Sequence, residues 1–297
     1  MARESPSDPR AFVATVASRA DEPVVAAPPT SGWGAAVAGV VLLGSIAWAP
    51  IGDRILRAAA PRTEEDVPVG WGFVDVGAVI LLFVLGSLGI GAGARLLGFD
   101  LDDASTLLVI SALTQGFAVL AVLVIATRTG LDGLRALGVR AGGAWSPPFA
   151  SLFVYATMLP AFASVGYLWR MLLEAAGRVD VEQRIVQEFA RLAPGERAFP
   201  LVLGVLVVPL FEETLFRGFL QPVLVRRFRV AGGVALTSAV FAILHGVEAF
   251  LPIFVLSCLL GLVMVRTRRL HAAWMVHAAH NGLQFLLLYN VPELARP

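Results

Sequence analysis

Read from its first residue, the chain is a series of long apolar stretches separated by short links that carry arginine. A helix that crosses a membrane needs about 20 mostly apolar residues. Such stretches fall at residues 33–51, 74–96, 105–126 and 149–169 in the first half, and at 199–224, 230–247, 250–265 and 272–289 in the second. The pattern predicts an all-α fold, a polytopic membrane helix bundle of about eight transmembrane helices. Residues 1–31 are polar and rich in Pro, Ser and Ala, with charges of both signs and no apolar run of the signal-peptide kind, and they read as a disordered N-terminal tail. Residues 32–197 then hold the N-terminal transmembrane helices with an interfacial segment, and residues 198–290 a C-terminal core.

Two of the links have a pattern of their own. Within 170–197, apolar Val181, Ile185, Val186 and Phe189 alternate with Glu182, Arg184, Gln187, Glu188 and Arg191, which suits an amphipathic helix lying at the interface. A shorter interfacial piece is expected at 131–139, where Leu131, Leu134 and Leu137 recur at threefold spacing. Arginine placement sets the orientation. Arg226, Arg227 and Arg229 occupy one link, Arg266, Arg268 and Arg269 another, and the link between them near 246–249 has none, so the two basic links belong on the cytoplasmic side. Eight strictly alternating spans would then leave the tail outside, against Arg3, Arg10 and Arg19, so the side of the N-terminus stays open.

Composition supports lipid as the solvent: 57% of the 297 residues are hydrophobic and 15% charged, against about 25% charged in soluble domains. A net charge of +1 gives no field directed at nucleic acid, so the expected partners are membrane lipid and a membrane-associated substrate. The single cysteine, Cys258, lies in an apolar stretch and excludes an intrachain disulfide or a cysteine metal cluster. The glycine-rich run 86–93 contains no G-x-G-x-x-G and reads as a helix-packing surface.

Ionisable side chains inside a bilayer cost several kcal/mol each and mark function by default. Here they gather in the last third: Glu212, Glu213 and Arg217 in the fifth stretch, His245 at the end of the sixth, His277, His280 and Asn281 in the eighth. The first four stretches offer little beyond Asp75, whose place near a helix start suggests an interfacial or capping role. Residues three or four apart share a helix face, so Glu213 and Arg217 pair while Glu212, about 100° round the helix, faces elsewhere. Phe241 stands one turn before His245, and His277 one turn before Asn281. At 1.5 Å per residue, Glu212, His245 and His277 lie roughly 10–25 Å from the basic links, so that all three can meet near mid-membrane. A carboxylate and two imidazoles converging in a protein-lined cavity can activate water, directly or through a metal ion. His271, His280 and Glu248 read as packing or interfacial groups.

In order, Glu212-Glu213-x-x-x-Arg217, Phe241-x-x-x-His245 and His277-x-x-x-Asn281 resemble the three motifs of the CPBP intramembrane proteases, the family of type II CAAX prenyl endopeptidases and Abi proteins. The resemblance covers about residues 199–289 and makes residues 198–290 a CPBP/Abi-like catalytic core. It implies an intramembrane endopeptidase, multi-pass in the cell membrane, that hydrolyses a peptide bond of a membrane protein or lipidated peptide. By the same resemblance Glu212 is the general base on a water that His245 also holds, His277 and Asn281 steady the oxyanion, and Glu213, Arg217 and Phe241 are structural support. It leaves the cofactor open between a divalent metal such as zinc, which Glu212, His245 and His277 would ligate, and a metal-free glutamate mechanism. The chain has no H-E-x-x-H, G-x-S-G or G-x-G-D sequence. Two readings of other classes remain: a proton-coupled transporter, since Glu and His chains also build proton relays, and a non-proteolytic membrane scaffold or immunity protein of the same fold.

Overall fold

The computed structural model describes residues 32–60, 68–101, 104–128, 130–140, 146–178 and 197–290, and these are helical with no strand among them. The predicted tail and the amphipathic pattern of residues 181–191 lie outside the described residues. The chain divides into two units, Met1–Val37 and Ala38–Pro297. Of the first unit only the opening turn of a helix is described, and the helix bundle belongs to the second.

The helices are α1 (Gly32–Ala59), α2 (Phe73–Leu96), α3 (Ala104–Thr127), the short α4 (Leu131–Ala136) and α5 (Ser146–Ala175), then a run Ala198–Leu244, a helix Phe250–Thr267 and a helix Leu270–Asn290. Arg229 divides the long run. Its φ of 63° and ψ of 175° lie where side chains seldom go, and the chain turns back on itself there. Residues eight apart in a straight helix are about 12 Å apart, yet a Cβ placed on Gly233 would lie 2.5 Å from the backbone of Val225. Residues 198–228 are therefore α6 and residues 230–244 α7, with α8 (Phe250–Thr267) and α9 (Leu270–Asn290) completing the order. Among the described residues, seven long helices and the half-length α7 match the eight predicted stretches in order.

Six helical runs are long and apolar enough to cross a membrane: Gly34–Ala59, Phe73–Leu96, Thr106–Thr127, Ser146–Ala175, Ala198–Leu244 and Phe250–Thr267. The protein is membrane-embedded, and its surface shows why. Val40 and Leu43 on α1, Leu88 on α2, and Leu120 and Val124 on α3 all point outward and are more than half exposed, whereas Glu213, Arg217, Gln221, Thr237 and Ser257 are buried. Water would expel that arrangement, while lipid tails favour apolar groups outside and force polar groups to find partners inside. Helix α9 carries too many polar groups to join the six, consistent with the histidines and asparagine it brings to the bundle interior.

Three contacts lock the links onto the helices. Trp71 stacks on Phe219 with ring centres 5.3 Å apart, and its indole N–H donates to the Phe219 carbonyl at 2.9 Å. Arg226 donates to the carbonyls of Val69 and Trp71 at 3.0 and 2.9 Å, so this arginine braces α6 against the start of α2 as well as marking the basic side. Asp75 caps α2 by accepting from the Gly72 N–H at 3.0 Å, as its position suggested.

The piece at 131–139 forms the helix α4, and Leu137 just after it is fully buried in a cluster with Trp71, Val122 and Phe219. Two expectations change. The glycine run on α2 packs only at its start: a Cβ placed on Gly86 would lie 3.6 Å from Phe117 of α3, whereas one on Gly89, Gly91 or Gly93 would meet nothing within 4 Å among the described residues. The sixth stretch also ends earlier than its apolar run, at Leu244, because Gly246 at φ 88° turns the chain out of the helix as left-handed glycines do.

Gly233→Ala should lower the thermal stability of the detergent-solubilised protein by about 1–3 kcal/mol. Gly89→Ala, whose new methyl group meets nothing, should not lower it; identical unfolding transitions for the two variants would show that the arms at Arg229 are not in contact.

Candidate active site

The site begins with irregular helix. Within α6, wide π turns at Leu203–Val207 and Thr214–Leu220 flank the regular turn Val208–Glu213, an arrangement often found at functional sites. A wide turn misaligns backbone carbonyls, and side chains of α9 answer two of them. Asn281 donates from Nδ2 to the Gly204 carbonyl at 2.9 Å, and the Trp274 indole N–H to the Leu206 carbonyl at 2.9 Å. These bonds hold α9 against the turn that carries Glu212 and Glu213.

Glu213 and Arg217 pair as their spacing predicts, Oε1 to Nη1 at 3.0 Å, and neither side chain has any exposure. Arg217 also donates from Nη2 to Ser257 Oγ at 2.9 Å and lies 4.5 Å above the ring of Phe241. One turn further on, Gln221 donates to the Gly261 carbonyl at 3.0 Å, so α6 and α8 run side by side in the same direction through two polar contacts. His277 brings α9 into this network. Its Nδ1 is 2.8 Å from Glu213 Oε1, and its Nε2 is 3.7 Å from Glu212 Oε2. A carboxylate only accepts, so Nδ1 carries the hydrogen and Nε2 is the nitrogen turned toward Glu212.

Phe241 is the hub of the aromatic contacts. Its ring centre lies 4.9 Å from that of Phe216, 4.4 Å from His245 and 5.9 Å from His277. His245 closes α7, and its Nδ1–H donates to the Phe241 carbonyl at 2.7 Å, which leaves Nε2 as the acceptor of a neutral ring. His280, read from the sequence as a packing group, meets the Tyr155 hydroxyl at 3.1 Å through Nδ1 and Gln284 at 2.7 Å through Nε2, and so belongs to the contact between α9 and α5. Glu248 pairs with Arg178 at 3.2 Å where both are exposed.

The fold therefore gathers Glu212, Glu213, Arg217, Phe241 and His277 around one point. His245 joins through Phe241, and Asn281 sits one turn beyond His277. Among the described residues no three His, Cys, Asp or Glu side chains meet as a group able to hold a metal. Sequence reasoning missed Ser257, Trp274 and the bond from His277 to Glu213. Ser257 is a polar exception within an apolar stretch, a usable signal; Trp274 bonds to a carbonyl that only the π turn exposes, which no residue pattern announces.

Residues 194–283 match the family model described as type II CAAX prenyl endopeptidase Rce1-like. Over that segment the chain is similar to the CAAX proteases. No curated protein and no solved structure matches the chain. The matched segment contains the three motifs and nearly all of the polar network around Glu213, so the match and the site coincide. The match supports an intramembrane endopeptidase of the CAAX protease kind.

Removing one member of a buried ion pair leaves the other charge stranded, at about 3–5 kcal/mol. Glu213→Ala and Arg217→Ala should each lose that much stability in detergent unfolding, and Glu212→Gln less than about 1 kcal/mol, in the range of a change at a partly exposed group. Comparable losses at positions 212 and 213 would remove the ion pair from its structural role.

Proposed function

We propose that this protein cleaves a peptide bond of a membrane-associated protein or lipidated peptide in the cell membrane, with Glu212 as general base. What carries the reading is the approach of Glu212 Oε2 to His277 Nε2, 3.7 Å apart, inside the matched domain. That separation exceeds a hydrogen bond and suits one water held beside both atoms. Glu212 is also the less buried of the two glutamates, with a side chain 13% exposed against 0% for Glu213.

In the proposed reaction the water oxygen bonds to the scissile carbonyl carbon as Glu212 takes a proton from that water, and the carbonyl π pair becomes an oxyanion. The proton that Glu212 takes is shared with Nε2 of His277, whose own hydrogen stays on Nδ1 against Glu213, and through that shared proton His277 meets the oxyanion. Asn281 has one amide hydrogen on Gly204 and the second available for the same purpose. Collapse of the oxyanion breaks the C–N bond, and Glu212 returns its proton to the departing amine. His245 supports the water through Nε2, the nitrogen left free by its bond to the Phe241 carbonyl. For the apolar part of the substrate there is a groove of about 490 Å³ lined by Leu113, Gly116 and Phe117 of α3 and Phe199, Leu203 and Phe211 of α6, the last adjacent to Glu212 in sequence.

Glu212→Gln keeps the shape of the side chain and removes the base. Cleavage should fall by at least about 100-fold with the melting transition retained, and His245→Ala should behave alike. Comparing the membrane proteomes of cells that carry wild-type or Glu212→Gln protein should reveal an uncut substrate, whose purified form then serves for rates. Wild-type turnover of that substrate by Glu212→Gln would sink the assignment.

A further inference from the structure

We infer that Glu213 is more than half of a structural ion pair: it is the positioning residue that holds the hydrogen on Nδ1 of His277 and so presents Nε2 to the reacting atoms. The inference rests on the reading of Glu212 as base and extends it to the residue next in the chain. An imidazole has two nitrogens, and the hydrogen bond made by one decides what the other can do.

Glu213 Oε1 meets two partners at once, Arg217 Nη1 at 3.0 Å and His277 Nδ1 at 2.8 Å. Arg217 would be enough if the carboxylate served only to brace α6. The second contact crosses from α6 to α9 and leaves the ring one orientation. Water does not compete for the Nδ1 hydrogen, because the Glu213 and His277 side chains are 0% and 5% exposed. Nor can the carboxylate easily turn away. Arg217 is held by Ser257 and lies over Phe241, whose ring also stands edge-on to His277. The charged and titratable groups around the ring are Glu212 and Glu213 from α6, with Arg217 behind Glu213; on α9 itself, His280 is engaged with Tyr155 and Gln284. The ring position left to exchange a proton with water, oxyanion or leaving group is Nε2, on the Glu212 side. A buried carboxylate that sets a histidine tautomer in this way matters to rate by orders of magnitude in other hydrolases.

The test reads the ring directly. The protein has four histidines, so nitrogen NMR of histidine-labelled protein in detergent is tractable, with the His277 signals identified by their loss in His277→Asn. Wild type should carry hydrogen on Nδ1 of His277, and Glu213→Gln, whose amide oxygen still accepts, should keep it there. Glu213→Leu combined with Arg217→Met strands no charge, and should move the hydrogen to Nε2 and lower kcat about 100-fold with KM little changed. A bare Nδ1 in wild type, or a hydrogen that stays on Nδ1 in the Leu/Met variant, overturns the inference. Should that variant fail to fold, the wild-type spectrum still decides. Glu212→Gln separates the two readings: full activity there with the expected spectra defeats the base assignment alone, while an inactive Glu212→Gln with a bare wild-type Nδ1 defeats the role of Glu213 alone.

Discussion

A carboxylate and a guanidinium with no exposure cannot be left to themselves in lipid, where each would cost far more than folding can offset. Glu213 and Arg217 are accommodated because three other helices supply what they need: the Ser257 hydroxyl from α8, the Phe241 face from α7 and the His277 Nδ1–H from α9. Each of these contacts fixes a helix relative to α6, so the demand of one ion pair organises the C-terminal half. The same demand explains why polar side chains on α6, α7 and α8 face one another across a seam while their outer faces stay apolar.

The irregularity of α6 is tied to the side chains it has to present. An ideal helix repeats its faces every 3.6 residues, and a glutamate pair in one would show its two side chains to neighbours set by that geometry alone. Two π turns on either side of Val208–Glu213 adjust the rotation and expose carbonyls that Asn281, Trp274 and Trp71 then occupy. The result is a helix whose strain is answered by donors from α9 and from the link before α2, which places the α9 donors next to Glu212.

Much of this was legible in the order of residues. Apolar run length located the helices because lipid sets that length, and the four-residue spacing from Glu213 to Arg217 implied the ion pair because neighbours on a helix face must meet. Depth along the helices put Glu212 and His277 at one level, where the fold does bring them together. The misses have physical causes. The reversal at Arg229 falls in the basic link expected between the fifth and sixth stretches; what the sequence did not show is that one arginine, in a backbone conformation it seldom adopts, makes the whole turn. The glycines at 89, 91 and 93 suggested packing, yet small size permits close approach without requiring it. The bond from His277 to Glu213 escaped because spacing tells which residues share a face, not which of two adjacent carboxylates a third helix will reach.

Adjacent glutamates with different surroundings can divide labour that one could not perform. Glu213 sits where Arg217 and His277 bear on the same oxygen, so its position is fixed. Glu212 is turned about 100° away along the same helix, keeps a trace of exposure and faces Nε2 at 3.7 Å, beyond a direct hydrogen bond. A group that must accept a proton and release it within one turnover needs that looser setting, and a group that must hold a ring in place needs the tighter one. The two neighbours have the same chemistry, so the division between them comes from the helices packed around each.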